Sequence, residues 1–152
     1  MEKKTHIAIG VAVALYFIPF VTHKLIFLPI VLIASLLPNL DTLSGNSEKR
    51  NFLKPFSRLL SPRGILHTYT FAIVASVVIA LIYPPAALPF FLGYSFHLLA
   101  DSFTVKGIRP FWPLKGEIRG IVRSGKHIDR AIFVTFLIID AFLLIFVLSS
   151  LF

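Results

Sequence analysis

Two residues four apart, His97 and Asp101 in the stretch GYSFHLLADSFT, carry the first chemistry in this chain. On a helix they share one face, so imidazole and carboxylate meet side by side. The residues before them, AALPFFLGYSF, are apolar enough to lie in a bilayer. There an ionisable side chain costs ~2.5–3.5 kcal/mol on insertion scales, so it pairs or faces a polar cavity. A hydrogen-bonded structural pair and a metal site both satisfy that demand. His6, Asp41 and His67 add three further groups of metal-ligating type. Three imidazoles and two carboxylates suit Zn²⁺ or a similar first-row divalent metal. The chain has no cysteine, which excludes disulfides and thiolate ligands.

The elements that position these groups are apolar spans. Of the 152 residues 57% are hydrophobic and 14% charged, with a mean hydropathy of +0.86, too apolar for a soluble domain of this length. Five stretches stand out, at about 6–22, 25–38, 64–83, 86–103 and 131–152, and predict an all-α membrane bundle of about five transmembrane helices forming a single domain over 1–152. The third, fourth and fifth reach spanning length. The second is short and holds Pro29 and Pro38, so the first pair also reads as a re-entrant hairpin. Tyr83, Pro84 and Pro85 predict a tight turn between spans three and four. Lys3 and Lys4 before an apolar run resemble a signal peptide, but no small-x-small cleavage site follows, and the reading is an uncleaved first helix.

Lys and Arg set the orientation. Two precede span one, five lie in 39–63 and seven in 104–130, whereas only Lys24 falls on the other side. Fourteen against one predicts a multi-pass protein of the inner (plasma) membrane with two basic cytoplasmic loops, a cytoplasmic N-terminus and an outward C-terminus. His6, Asp41, His67 (one turn inside span three), His97 and Asp101 then reach one depth at the cytoplasmic face. His23 falls on the opposite side, and His127 in a solvated loop. Asp140, ten residues into span five and so roughly 15 Å deep, either orients a ligand from behind or pairs with Ser76 or Tyr94. The charge of +8 points to anionic lipid; nucleic acid is disfavoured, because the basic residues are dispersed without aromatic interleaving.

Four segments in order, THIAIG, LLPNLDT, PRGILHTYT and GYSFHLLADSFTVKGIRPFWP, resemble the membrane-bound metal-dependent hydrolases, also described as LexA-binding, inner-membrane-associated hydrolases. The resemblance runs from Thr5 to about Asp129. It implies metal binding by His6, Asp41, His67, His97 and Asp101, with Arg63 and Gly64 at the family's Arg-Gly and Thr104, Gly107, Pro110, Trp112 and Pro113 in the segment that follows. Two positions depart from the family pattern: Asn39 stands at its first Asp and Pro62 at its first His, and each removes a donor.

Hydrolysis is what the resemblance implies. A bound metal lowers the pKa of water to ~7 and polarises a phosphoryl oxygen. Asp41 and Asp101 are ligands, or one accepts the water proton. Arg63, Arg109 and Arg123 are the candidate phosphate forks, competing with a plain positive-inside role. The expected substrate is a phosphoester or lipid-linked molecule, such as a phospholipid, at the cytoplasmic leaflet. Two rival readings remain: an inactive membrane protein binding a cytoplasmic partner through its basic loops, and a small metal or proton transporter. The second is disfavoured because the outer half of the bundle offers little polarity besides His23.

Overall fold

The computed structural model describes residues 1–39 and 64–149; their regular elements are all helices, with no strand among them, and 103–126 form a non-helical segment. Helix α1 runs Lys3–Phe17 and continues as a 3₁₀ turn over Ile18–Phe20, where Pro19 ends regular hydrogen bonding. Helix α2 spans Lys24–Leu36, α3 Tyr69–Ile82, α4 Pro84–Ser102 and α5 His127–Ser149.

Several boundaries differ from the sequence expectation. The third apolar stretch holds an α-helix of only 14 residues, because Thr68 is extended (φ −132°, ψ 144°) and its Oγ1 accepts from Phe71 N–H at 3.1 Å, an N-cap. His67 therefore lies not inside α3 but in the 3₁₀ turn Ile65–His67 that precedes it. Pro84 and Pro85 are not a turn: they open α4, where a missing N–H costs nothing, and Tyr83 alone joins the two helices. Helix α5 starts at His127, so this histidine is helical and Asp140 lies thirteen residues in, about 20 Å along the axis.

Among the described residues, two helical segments are long and apolar enough to cross a membrane, Lys3–Phe20 and His127–Ser149, while Lys24–Asn39 and Tyr69–Ile82 are apolar but shorter. Helix α4 sits at the centre of the bundle and packs on α2, α3 and α1, with α5 laid against α1. Small residues let the helices approach. A Cβ added at Gly93 of α4 would lie 3.0 Å from the Val31 carbonyl carbon and 3.1 Å from Ala34 Cβ, and one at Gly10 of α1 would lie 2.8 Å from Ser35 Oγ. Close backbone approach of this kind holds helices together where lipid removes any hydrophobic drive between them. Around the seams lie two apolar clusters, Ile9, Val13, Ala14, Phe27, Val31 and Ala100 in one and Ala34, Ala72, Tyr94, Leu98 and Ile108 in the other. Helix α5 differs: Asp129 is its single fully buried residue, Phe136 packs partly buried against the first cluster, and most of its other apolar side chains are exposed.

The basic segment after α4 is folded rather than an open loop. Thr104 pairs with Val122 and Ile108 with Ile118, the latter through reciprocal backbone hydrogen bonds of 2.9 Å. Gly107 (φ 66°) turns the chain in the left-handed region that favours glycine. Pro110 O accepts from Tyr69 N–H at 2.8 Å, tying the segment to the start of α3.

Candidate metal centre

Helix α4 presents His97 and Asp101 on one face, as their spacing requires, and the start of α1 and the turn before α3 bring histidines to that face. Asp101 is the hub. His6 Nε2 stands 3.2 Å from its Oδ1, His97 Nε2 3.4 Å from its Oδ2, and His67 Nε2 3.8 Å from the same Oδ2. All three imidazoles are buried. The rings of His6 and His97 stack at 3.8 Å with planes 16° apart, and His67 meets His97 edge-on at 5.9 Å. One donor atom from each of His6, His97 and Asp101 fits within 4.8 Å of the others, the spread of a mononuclear ligand set.

The orientation of His97 says what belongs between these groups. Its Nδ1 lies 2.6 Å from Ser35 O, and a carbonyl oxygen only accepts, so Nδ1 carries the proton. In the neutral ring Nε2 is then a lone pair, fully buried, facing a carboxylate oxygen. Two acceptors facing each other in a dry site are destabilised by ~1–3 kcal/mol until a cation or proton separates them. An imidazole that donates one N–H to a backbone carbonyl while turning its other nitrogen toward shared ligands is the usual support of a metal-bound histidine. The centre already accommodates positive charge, since the α-ammonium of Met1 donates to Asp101 Oδ1 at 2.8 Å. The chemistry of the donor set, two imidazole nitrogens and a carboxylate with His67 at its edge and no thiolate, is of the kind a divalent cation takes.

Not every residue singled out from the sequence joins the centre. Asp41 and Arg63 lie outside the described residues, as does Pro62. Arg109 is engaged by Glu117, through Nε at 2.9 Å and a second nitrogen at 2.8 Å, and Arg119 pairs with the same carboxylate. These bonds, the Arg109 contact first, hold the exposed Glu117 carboxyl below its ordinary range. Arg123 is exposed and has no ion-pair partner among the described residues. Asp140 receives no proton from Ser76, which donates to Ala72 O at 2.7 Å, or from Tyr94, which donates to Leu66 O. Each hydroxyl finds a nearer carbonyl, so neither expected pair forms, and Asp140 Oδ1 is buried without a hydrogen bond.

Two contributors carry little signal in the sequence. Ser35 acts through its carbonyl, which any residue at that place would supply. Asp129, buried at the start of α5, accepts from Thr5 Oγ1 at 2.9 Å, Glu2 N–H at 3.1 Å and Gly125 N–H at 2.7 Å. It thereby fixes the first turn of α1, and His6 with it. The apolar run that opens the last span at about 131 puts Asp129 in the preceding loop, and neither its place in the first turn of α5 nor its reach to Thr5 is legible in the sequence.

No curated protein and no solved structure matches the chain. A family profile does match, over residues 1–151, nearly the whole length, and on that match the chain belongs to the YdjM inner membrane protein family.

Proposed function

We propose that this protein is a membrane-embedded, metal-dependent hydrolase of phosphoesters, with its centre at the cytoplasmic face of a five-span bundle whose N-terminus is cytoplasmic. The lone pair of His97 directed at Asp101, with Nδ1 fixed on Ser35 O, carries the reading. His6, His67, His97 and Asp101 hold the metal, Zn²⁺ being the ion best suited to them; by resemblance Asp41 completes the ligand set and Arg63 stands beside it as a phosphate-binding cation. A divalent ion so held supplies an acidified water and polarises a phosphoryl oxygen.

The chain's own residues do the rest. Ser35 O and the stacked His6 ring lock the His97 imidazole, so its nitrogen is presented without rotational loss. Asp101 offers two oxygens to different neighbours, one to His6 and one to His97 and His67, leaving it able to ligate through one and accept a proton on the other. Arg123, exposed on the basic segment, is the candidate fork without an ion-pair partner among the described residues, whereas Arg109 is first released from Glu117.

Metal analysis of the purified protein tests this. Wild type carries stoichiometric metal, and the His97→Ala, Asp101→Ala double variant does not; equal trace metal in both defeats the proposal. Asn39 and Pro62, each replacing a family donor, favour one other reading: a binding protein that keeps the metal as structure. Tight metal with no turnover against a panel of phosphoesters would establish that alternative.

A further inference from the structure

Beside the centre runs a groove of about 460 Å³, between α1, α4, α5 and the segment 120–122. Every residue lining it is apolar, including Ile9, Phe96, Leu99, Ile121, Ile132 and Phe136. The volume lies within the ~300–1,000 Å³ range of small-molecule sites. Its walls include residues left outward, Leu99 at 44% and Ile121 at 80% exposure, so the groove opens to the protein's surface instead of being sealed.

Three observations select the occupant. First, the groove adjoins the centre: Met1 lines it while its ammonium bonds Asp101, and the lining residue Ala100 precedes Asp101 in α4. Second, it extends from that level along the spanning helices. Ile9 lies about one turn beyond His6, and Phe136 nine residues into α5, roughly 13 Å from its start. Third, the lining segment Gly120–Val122 is bracketed by Arg119, which is paired with Glu117, and by the exposed Arg123, so a cation without an ion-pair partner among the described residues stands beside this wall. A ligand matching all three is apolar along its length and anionic at one end.

We infer that the groove seats one hydrocarbon chain of a phosphoester lipid, with its anionic headgroup at the Met1–Asp101 end. The headgroup assignment rests on the function proposed above; the chain seat does not. Selection among substrates then follows chain length and thickness as well as headgroup chemistry.

Photolabelling of the full-length protein in nanodiscs tests it, with a phosphatidic acid carrying a diazirine on one acyl chain. Adducts are expected on residues 96–103 and 132–136 at five-fold or greater excess over the outward face of α5 at Phe142 and Ile145, and unlabelled phosphatidic acid displaces them. Leu99→Trp, which fills the groove from α4, lowers the groove adducts at least five-fold and leaves those at Phe142 unchanged. Ile121→Trp fills it from the other wall and serves if the first variant misfolds. Equal labelling of both faces, or wild-type labelling in the filled variants, overturns the inference. A diazirine fatty acid of the same length separates the headgroup from the chain: phosphatidic acid competes at least ten-fold better, and equal competition overturns the phosphoester assignment. Metal content of the same samples keeps the two claims apart. Groove adducts without metal retain the chain seat and remove the hydrolase, and metal without groove adducts does the reverse.

Discussion

Replacing Gly93 by alanine tests how the helix seam supports the centre. A methyl group there would lie 3.0 Å from the Val31 carbonyl carbon, closer still to its oxygen, and 3.1 Å from Ala34 Cβ. Backbone does not yield as a side-chain tip does, so α2 must retreat from α4 by about 1 Å to reach ordinary contact. Ser35 lies on the same stretch of α2, one residue past Ala34, and His97 lies one turn beyond Gly93 on α4. The same retreat stretches the Ser35 O–His97 Nδ1 bond from 2.6 Å to about 3.6 Å, outside hydrogen-bonding range. Overpacking of this size costs ~1–3 kcal/mol of stability. Losing the support of a ligating histidine costs ~10–100-fold in metal affinity. Chelator competition in detergent, with thermal unfolding measured beside it, reads both. Full metal affinity in a Gly93→Ala protein that melts several degrees lower would refute the coupling of seam to centre. Unchanged affinity with unchanged melting would refute the packing argument as well.

Saturating zinc at about 100 times its dissociation constant should add ~2.7 kcal/mol to stability, seen as a higher Tm that chelation reverses and that Asp101→Asn abolishes. Asp129→Asn gives up part of a three-donor network on a buried carboxylate, and a thermal melt should show a loss of ~1.5–3 kcal/mol, with weaker metal binding because His6 is no longer anchored. Glu117 should titrate below the ordinary glutamate value of 4.5, because Arg109 and then Arg119 favour its charged form. What that pairing contributes is present at neutral pH and lost as pH falls through the depressed value; an infrared titration with Glu117→Gln as reference reads it. The same Glu117→Gln change frees Arg109 and Arg119, and more anionic lipid should copurify, measured by native mass spectrometry.

The i,i+4 spacing of His97 and Asp101 and the asymmetry of Lys and Arg direct His6, Asp41, His67, His97 and Asp101 toward one level; four of them lie close together in the structure, and Asp41 falls outside the described residues. Apolar runs located the helices to within a few residues. The shortness of α3 escaped, because an unbroken apolar run hides the extended backbone at Thr68. Prolines at 84 and 85 mislead in the opposite sense, since proline that breaks a helix in its interior is well suited to its first turn. The groove was invisible, because its walls come from three helices and a folded segment with no shared motif. The Ser35 contact was invisible for a different reason: a carbonyl has no residue type.

The Asp129 clip also bears on the order of synthesis. Asp129 and Thr5 are 124 residues apart, and their hydrogen bond fastens the turn of α1 that carries His6. At a translation rate of about 5–20 residues per second, roughly 6–25 s pass between the emergence of the two ends of that bond. Through that interval the nascent chain holds histidines and a carboxylate that are not yet fastened together. A chain stalled or cleaved before residue 129 lacks the carboxylate that fastens the turn carrying His6. The His/Asp cluster is thus held in its final form only once the segment with Asp129 has been made, which makes its assembly a late event in synthesis.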